Sequence, residues 1–116
     1  MNRFKNLHIW KRSIALATEI YGITSKFPPD EKFGLCAQIR RCVVSISSNI
    51  AEGAGRNTKK DFNRFLSIAY GSLYELETQL TIAANLDYLN NSEKEILSDE
   101  ITELQKMVYS FSKTLH

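Results

Sequence analysis

A chain of 116 residues fits one domain, and at 43% hydrophobic and 24% charged residues it has the composition of an ordinary globular protein. Five glycines and two prolines leave little material for the many turns of an all-β fold, and no apolar run approaches the ~20 residues needed to cross a bilayer. The net charge of +2 conceals an asymmetry: residues 1–60 hold eleven Lys and Arg against four Asp and Glu, a balance of +7, whereas residues 61–116 hold four against nine, a balance of −5. A basic half attracts phosphate, or the acidic half of the same or a neighbouring chain.

The first segment is predicted as a helix from Leu7 to Lys26. Its apolar face is read as Leu7, Trp10, Ile14, Ala17, Tyr21 and Thr24, spaced three and four apart. Phe27-Pro28-Pro29 ends it, because the residue before a proline avoids helical geometry. Asp30 then offers a capping carboxylate to a second helix from Glu31 to Ala54, with the stripe Leu35, Ile39, Cys42, Ile46, Asn49 and Gly53. Gly53 and Gly55 suit a helix end that needs a positive φ.

The third helix, from Thr58 to Leu86, carries the heptad seam Phe62, Leu66, Ala69, Leu73, Leu76, Leu80 and Ala83. Thr58-Lys59-Lys60-Asp61 approximates a capping box at its start. The fourth opens on Ser92-Glu93-Lys94-Glu95, an S-x-x-E box, and its seam is Leu97, Ile101, Leu104, Val108, Phe111 and Leu115. Period two is nowhere sustained and the connections are short, so the expectation for residues 1–116 is a single all-α domain, an up-down-up-down antiparallel four-helix bundle. Its core should set Leu66, Leu73, Leu76 and Leu80 against Trp10, Ile14, Ile39, Ile46, Leu104 and Phe111.

The residues offer no reaction. Ser45, Ser47 and Ser48 have no nearby His, and no Glu-x-x-His pair exists for a di-iron core. The P-loop pattern is absent, although Gly53 and Gly55 form G-x-G. Neither catalytic residues, nor a metal site, nor a cofactor is expected. Cys36 and Cys42, six residues apart on one helix, are too far separated for a disulfide and read as reduced, apolar positions of a cytoplasmic protein. The N-terminal Met1-Asn2-Arg3-Phe4-Lys5-Asn6 lacks the apolar core of a signal peptide, and no membrane association is expected.

Helices two and three carry more small and apolar surface than one bundle core needs. Ser67, Gly71 and Thr78 form a small-residue stripe, read either as close packing inside the bundle or as a contact between subunits. Arg41, Ser45, Ser48 and Glu52 share one helix face, and Arg56 is the nearest partner for Glu52. That pair either fixes the exit from helix two or contacts a polar ligand such as an RNA phosphate.

Several stretches carry a resemblance: Leu7-x-x-Trp10, Phe27-Pro28, Phe33-Gly34-Leu35, Gln38-Ile39-Arg40-Arg41, Asn49-Ile50-Ala51-Glu52-Gly53 with Arg56 downstream, and Phe65-Leu66-x-Ile68-Ala69-x-Gly71-Ser72. The chain resembles the four-helix-bundle family named for proteins encoded in intervening sequences of bacterial 23S ribosomal RNA, with Arg40, Arg41, Asn49, Glu52, Gly53 and Arg56 as its motif. The resemblance implies a ring-like homopentamer without enzymatic activity. The family is similar to the accessory variability determinant of diversity-generating retroelements, which binds nucleic acid and a reverse transcriptase. Two functions are therefore expected to compete. One is an oligomer that binds RNA or DNA through Arg3, Lys5, Lys11, Arg12, Arg56, Lys59 and Lys60, with Ser67 and Gly71 near the subunit contact. The other is an oligomeric adaptor for a protein partner.

Overall fold

The computed structural model describes residues 4–115. A 3-10 turn at Phe4–Asn6 precedes four helices: α1 (His8–Thr24), α2 (Leu35–Ala54), α3 (Lys59–Asn85) and α4 (Asn91–Lys113). Among the described residues α1 packs on α2, α2 on α3, α3 on α4, and α4 closes back on α1, while the diagonal pairs α1–α3 and α2–α4 bring no Cα atoms within 8 Å of each other. This is the expected antiparallel bundle. At ~1.5 Å per residue the 27 residues of α3 span ~40 Å, nearly the full 43 Å length of the molecule.

The core follows the heptad seams of α3 and α4. Leu66, Leu73, Leu76 and Leu80 are buried, with Ile39 and Ile46 from α2 and Leu97, Ile101, Leu104 and Val108 from α4. Trp10 and Phe111 lie half-buried at its margin. The α1 face departs from expectation. Its buried residues are Ile9, Ser13, Leu16, Ile20 and Thr24, and Ile14 and Tyr21 are exposed. Two polar residues enter the core because each satisfies its hydroxyl locally: Ser13 Oγ donates to the Trp10 carbonyl at 2.7 Å and Thr24 Oγ1 to the Ile20 carbonyl at 2.7 Å.

Three helix ends differ from the sequence reading. Helix α2 begins at Leu35, after a ten-residue connection that contains a 3-10 turn at Pro29–Glu31. Its first N–H is accepted at 3.0 Å by Glu31 Oε1, not by Asp30. Helix α4 is capped two residues before Ser92: Asn90 Oδ1 accepts the Glu93 N–H at 2.7 Å, and Glu93 Oε1 accepts the Asn90 N–H at 3.1 Å. Neither Gly53 nor Gly55 has a positive φ; the left-handed residue is Asp87, with φ 62°. There the Tyr88 N–H reaches the Ala83 carbonyl and the Asp87 N–H the Ala84 carbonyl, a Schellman ending to α3. At the start of α3 the Thr58 hydroxyl accepts the Asp61 N–H at 3.0 Å, one half of the capping box read there.

Gly53 serves packing instead. It is buried in α2 where α3 begins, and a Cβ there would stand 2.7 Å from Phe65 Cβ. Close approach of the two helices, the most extensive pairing in the bundle, requires a residue with no side chain.

Candidate nucleic-acid interface

Antiparallel topology brings four chain segments to one end of the bundle: the start of α1, the end of α2, the start of α3 and the end of α4. Packed aromatics fix them together. The Phe4 ring meets Trp10 edge-on with centroids 5.2 Å apart, and Phe62 of α3 meets Phe111 of α4 at 5.5 Å. In the terminal turns and connections at this end stand six cations, Lys5, Lys11, Arg56, Lys59, Lys60 and Lys113, against two carboxylates, Glu52 and Asp61. The opposite end holds Lys26, Lys32 and Lys94 against Asp30, Glu31, Asp87 and Glu93, three against four.

Lys5, Lys11, Lys59 and Lys60 are exposed, and among the described residues none has a carboxylate within 4.0 Å. Arg56 is half engaged. Its Nη2 lies 2.8 Å from Glu52 Oε2 across one helical turn, and its guanidinium sits 4.7 Å from the centre of the Phe65 ring, which also receives Arg64 at 4.6 Å. An exposed pair of this kind is worth only ~0–1 kcal/mol, so it is a weak restraint that phosphate can compete with. Arg12 is removed from the site: its guanidinium lies 2.7 Å from Glu100 on α4. That hydrogen bond raises its pKa despite the opposing effect of burial. Arg3 lies outside the described residues. Lys113 joins the basic end unanticipated, because only the closure of α4 on α1 brings the two termini together.

Of the remaining motif residues, Arg40 and Asn49 have structural partners and Arg41 has none among the described residues. Arg40 Nε donates to Thr24 Oγ1 at 2.9 Å and its Nη2 to the Tyr21 carbonyl at 3.1 Å, so a cation from α2 satisfies one carbonyl and one hydroxyl of the last turn of α1. Asn49 Nδ2 donates to the Ser45 carbonyl at 2.7 Å. Arg41 is exposed, with no carboxylate within 4.0 Å among the described residues. Ser67 and Gly71 are exposed on α3, and no atom of the bundle lies within 4 Å of a Cβ placed at Gly71. Close packing inside the bundle therefore does not account for that glycine.

A polar cleft of about 410 Å³ lies between α2 and α3, lined by Gln38, Arg41, Cys42, Ser45, Glu75 and Gln79. The Cys42 thiol donates to the Ser72 carbonyl at 3.1 Å and to Glu75 at 3.5 Å. Burial first, and then the Glu75 carboxylate, push its pKa up to about 12. A thiol held so firmly protonated is a poor nucleophile. Among the described residues no three His, Cys, Asp or Glu side chains gather as a metal-binding group, and no helix is long and apolar enough to cross a membrane.

The family model for the 23S rRNA-intervening sequence protein matches residues 5–110. The chain belongs to this family. Its fold is that of a crystallised protein of unknown function from the S23 ribosomal protein family of Bacteroides thetaiotaomicron VPI-5482, with a TM-score of 0.84 and 25% identity over 90% of this chain and 98% of that one. No match is found among curated proteins. In this member of the 23S rRNA-intervening sequence proteins, Arg40 ties α2 to α1, Gly53 lets α2 approach α3, and exposed lysines without carboxylate partners stand at the end where α2 hands over to α3.

Proposed function

We propose that this protein is a non-enzymatic homo-oligomer of the cytoplasm, a pentamer, that holds RNA or DNA by its phosphates across the end bearing Lys5, Lys11, Arg56, Lys59 and Lys60. The observation that carries the reading is the segregation of charge along the bundle: six cations against two carboxylates at that end, three against four at the other. Exposed lysines without partners are free to neutralise phosphates, and release of the cations condensed on the nucleic acid drives binding. Repetition of the basic end around a symmetry axis links weak contacts and raises avidity without new chemistry. Phosphate contacts position a strand without reading its bases, so little sequence preference is expected. In this reading the subunit contact draws on the outer face of α2 and on the exposed Ser67 and Gly71. Two buried, free cysteines accord with a reducing compartment.

The test compares the wild-type chain with R56A/K59A/K60A for binding to single-stranded RNA and duplex DNA. With helicity and melting unchanged, the variant should bind at least about tenfold more weakly and lose part of its salt dependence, because each phosphate contact removed flattens that dependence. Equal affinity and equal salt dependence would exclude the basic end. The adaptor reading would then take its place, favoured by the apolar side chains Tyr21, Phe33 and Val44 exposed on the α1–α2 side.

A further inference from the structure

We infer that the α1–α2 side of one copy receives the acidic outer ridge of α4 from the next copy, a head-to-tail contact between opposite faces of the bundle. The inference rests on the oligomeric reading above and adds this pair of surfaces to the outer face of α2, Ser67 and Gly71 named there.

Helix α1 is apolar along two stripes. One is the core face. The other, Trp10, Ile14, Ala17 and Tyr21, is spaced 4, 3, 4 and lies along the seam with α2, leaving Ile14 40% and Tyr21 43% exposed. Val44 of α2 is 41% exposed and Phe33, in the connection before α2, 87%. Tyr21, Phe33, Ala37 and Val44 line a groove of about 800 Å³, rimmed by Lys32, Arg40 and Arg41. Contiguous apolar surface with a polar rim marks a contact site on a folded protein. The rim is cationic and uncompensated: among the described residues none of the three cations has a carboxylate within 4.0 Å. Arg40 is held over the Tyr21 ring, 4.5 Å from its centre, so one positive charge is fixed at the groove wall. A covering surface must therefore combine an apolar side chain with negative charge.

The chain itself carries such a surface. Glu95, Asp99 and Glu103 recur every four residues along the exposed face of α4, with the exposed Ile96 beside them. The other two carboxylates of α4 are committed inside the bundle, Glu93 to Lys26 at 2.6 Å and Glu100 to Arg12 at 2.7 Å. Glu95 and Asp99 have no cation within 4.0 Å among the described residues, whereas Glu103 borders the α1–α4 cleft and its charge also acts on Arg12. Because α4 sits diagonally across from α2, with no Cα atoms of the two within 8 Å of each other, the groove on the α1–α2 side and the outer face of α4 point in different directions. A copy cannot present both sides to the same partner, so the contact is heterologous and propagates as a closed ring or an open filament.

The test is sedimentation of the full chain at low and high salt for wild type, K32E/R41E, E95K/D99K and the variant with all four changes, each checked for helicity. Wild type should associate at micromolar concentration and dissociate with salt. Each double variant should need at least about tenfold more protein to associate, since like charges then face each other. The fourfold variant, with the charges exchanged, should recover to within about threefold of wild type. Double variants that assemble like wild type would overturn this interface and leave the oligomeric reading intact. So would weakened double variants without recovery in the fourfold variant, because the two patches then do not meet each other. A wild-type chain that stays monomeric at low salt would overturn both.

Discussion

The same substitution, Gly to Ala, should have opposite effects at two points of this bundle. At Gly71, in the exposed middle of α3, nothing within the subunit lies within 4 Å of the added methyl group, and G71A should stabilise the isolated subunit by ~0.5–1 kcal/mol through helix propensity. At Gly53 the methyl would sit 2.7 Å from Phe65 Cβ, 3.0 Å from Phe62 Cδ1 and 3.1 Å from the Phe62 carbonyl oxygen. Relaxed carbon contacts need ~3.5–4.0 Å, so α2 and α3 must part by most of an ångström. Two of the three obstacles are tied to the α3 backbone and cannot swing aside. Overpacking of this kind costs ~1–3 kcal/mol. Both variants share the propensity gain, so their difference isolates the clash: G53A should be less stable than G71A by ~1–3 kcal/mol. Urea melts of the two proteins measure it. Variants that agree within ~0.5 kcal/mol, beneath the usual range for overpacking, would refute the close approach at Gly53. That approach also positions the turn bearing Arg56 and leading into Lys59 and Lys60.

Leu73 is fully buried at the centre of the α3 seam, and L73A should cost ~2–5 kcal/mol in the same melts. Glu31 is held below the ordinary glutamate value of 4.5 by the Leu35 N–H and then by the Tyr88 hydroxyl, and Glu93 likewise by Lys26 and then by the Asn90 N–H. The fold favours their ionised forms. Their contribution is therefore complete above about pH 4.5 and is lost as pH falls through the lowered folded values. Between neutral pH and about pH 3 the melting temperature of E31Q should fall less than that of wild type, and equal slopes would remove Glu31 from the acid transition. The Cys42 thiol, raised from 9.0 to about 12, should carry about a thousandfold less thiolate than an ordinary one at neutral pH. Native protein should resist a thiol reagent that labels both cysteines after unfolding.

The four helices were legible in the sequence because α3 and α4 each bear one long seam with no rival. Helix α1 was not, for the opposite reason. It has two apolar stripes, and the more regular one, through Ile14 and Tyr21, is the one left at the surface. The true core face includes Ser13 and Thr24, whose hydroxyls are satisfied by their own helix, a solution that composition does not reveal. Caps failed where rival donors and acceptors lie one or two residues apart, as with Asp30 and Glu31, or Asn90 and Ser92. Most of the candidate site was visible as a list of cations in the first half of the chain. Its shape was not, because topology alone brings Lys113 to Lys59, and because the partner that removes Arg12 lies 88 residues away.

The dependence of RNA binding on salt decides most directly whether the basic end is a phosphate site. Four uncompensated lysines in each copy, Lys5, Lys11, Lys59 and Lys60, give an expected slope of about −3 in log affinity against log salt, at roughly −0.7 for each phosphate of a single strand, and a steeper slope if several copies touch one strand. Affinity that stays flat as salt rises, or no binding at low salt, would contradict it.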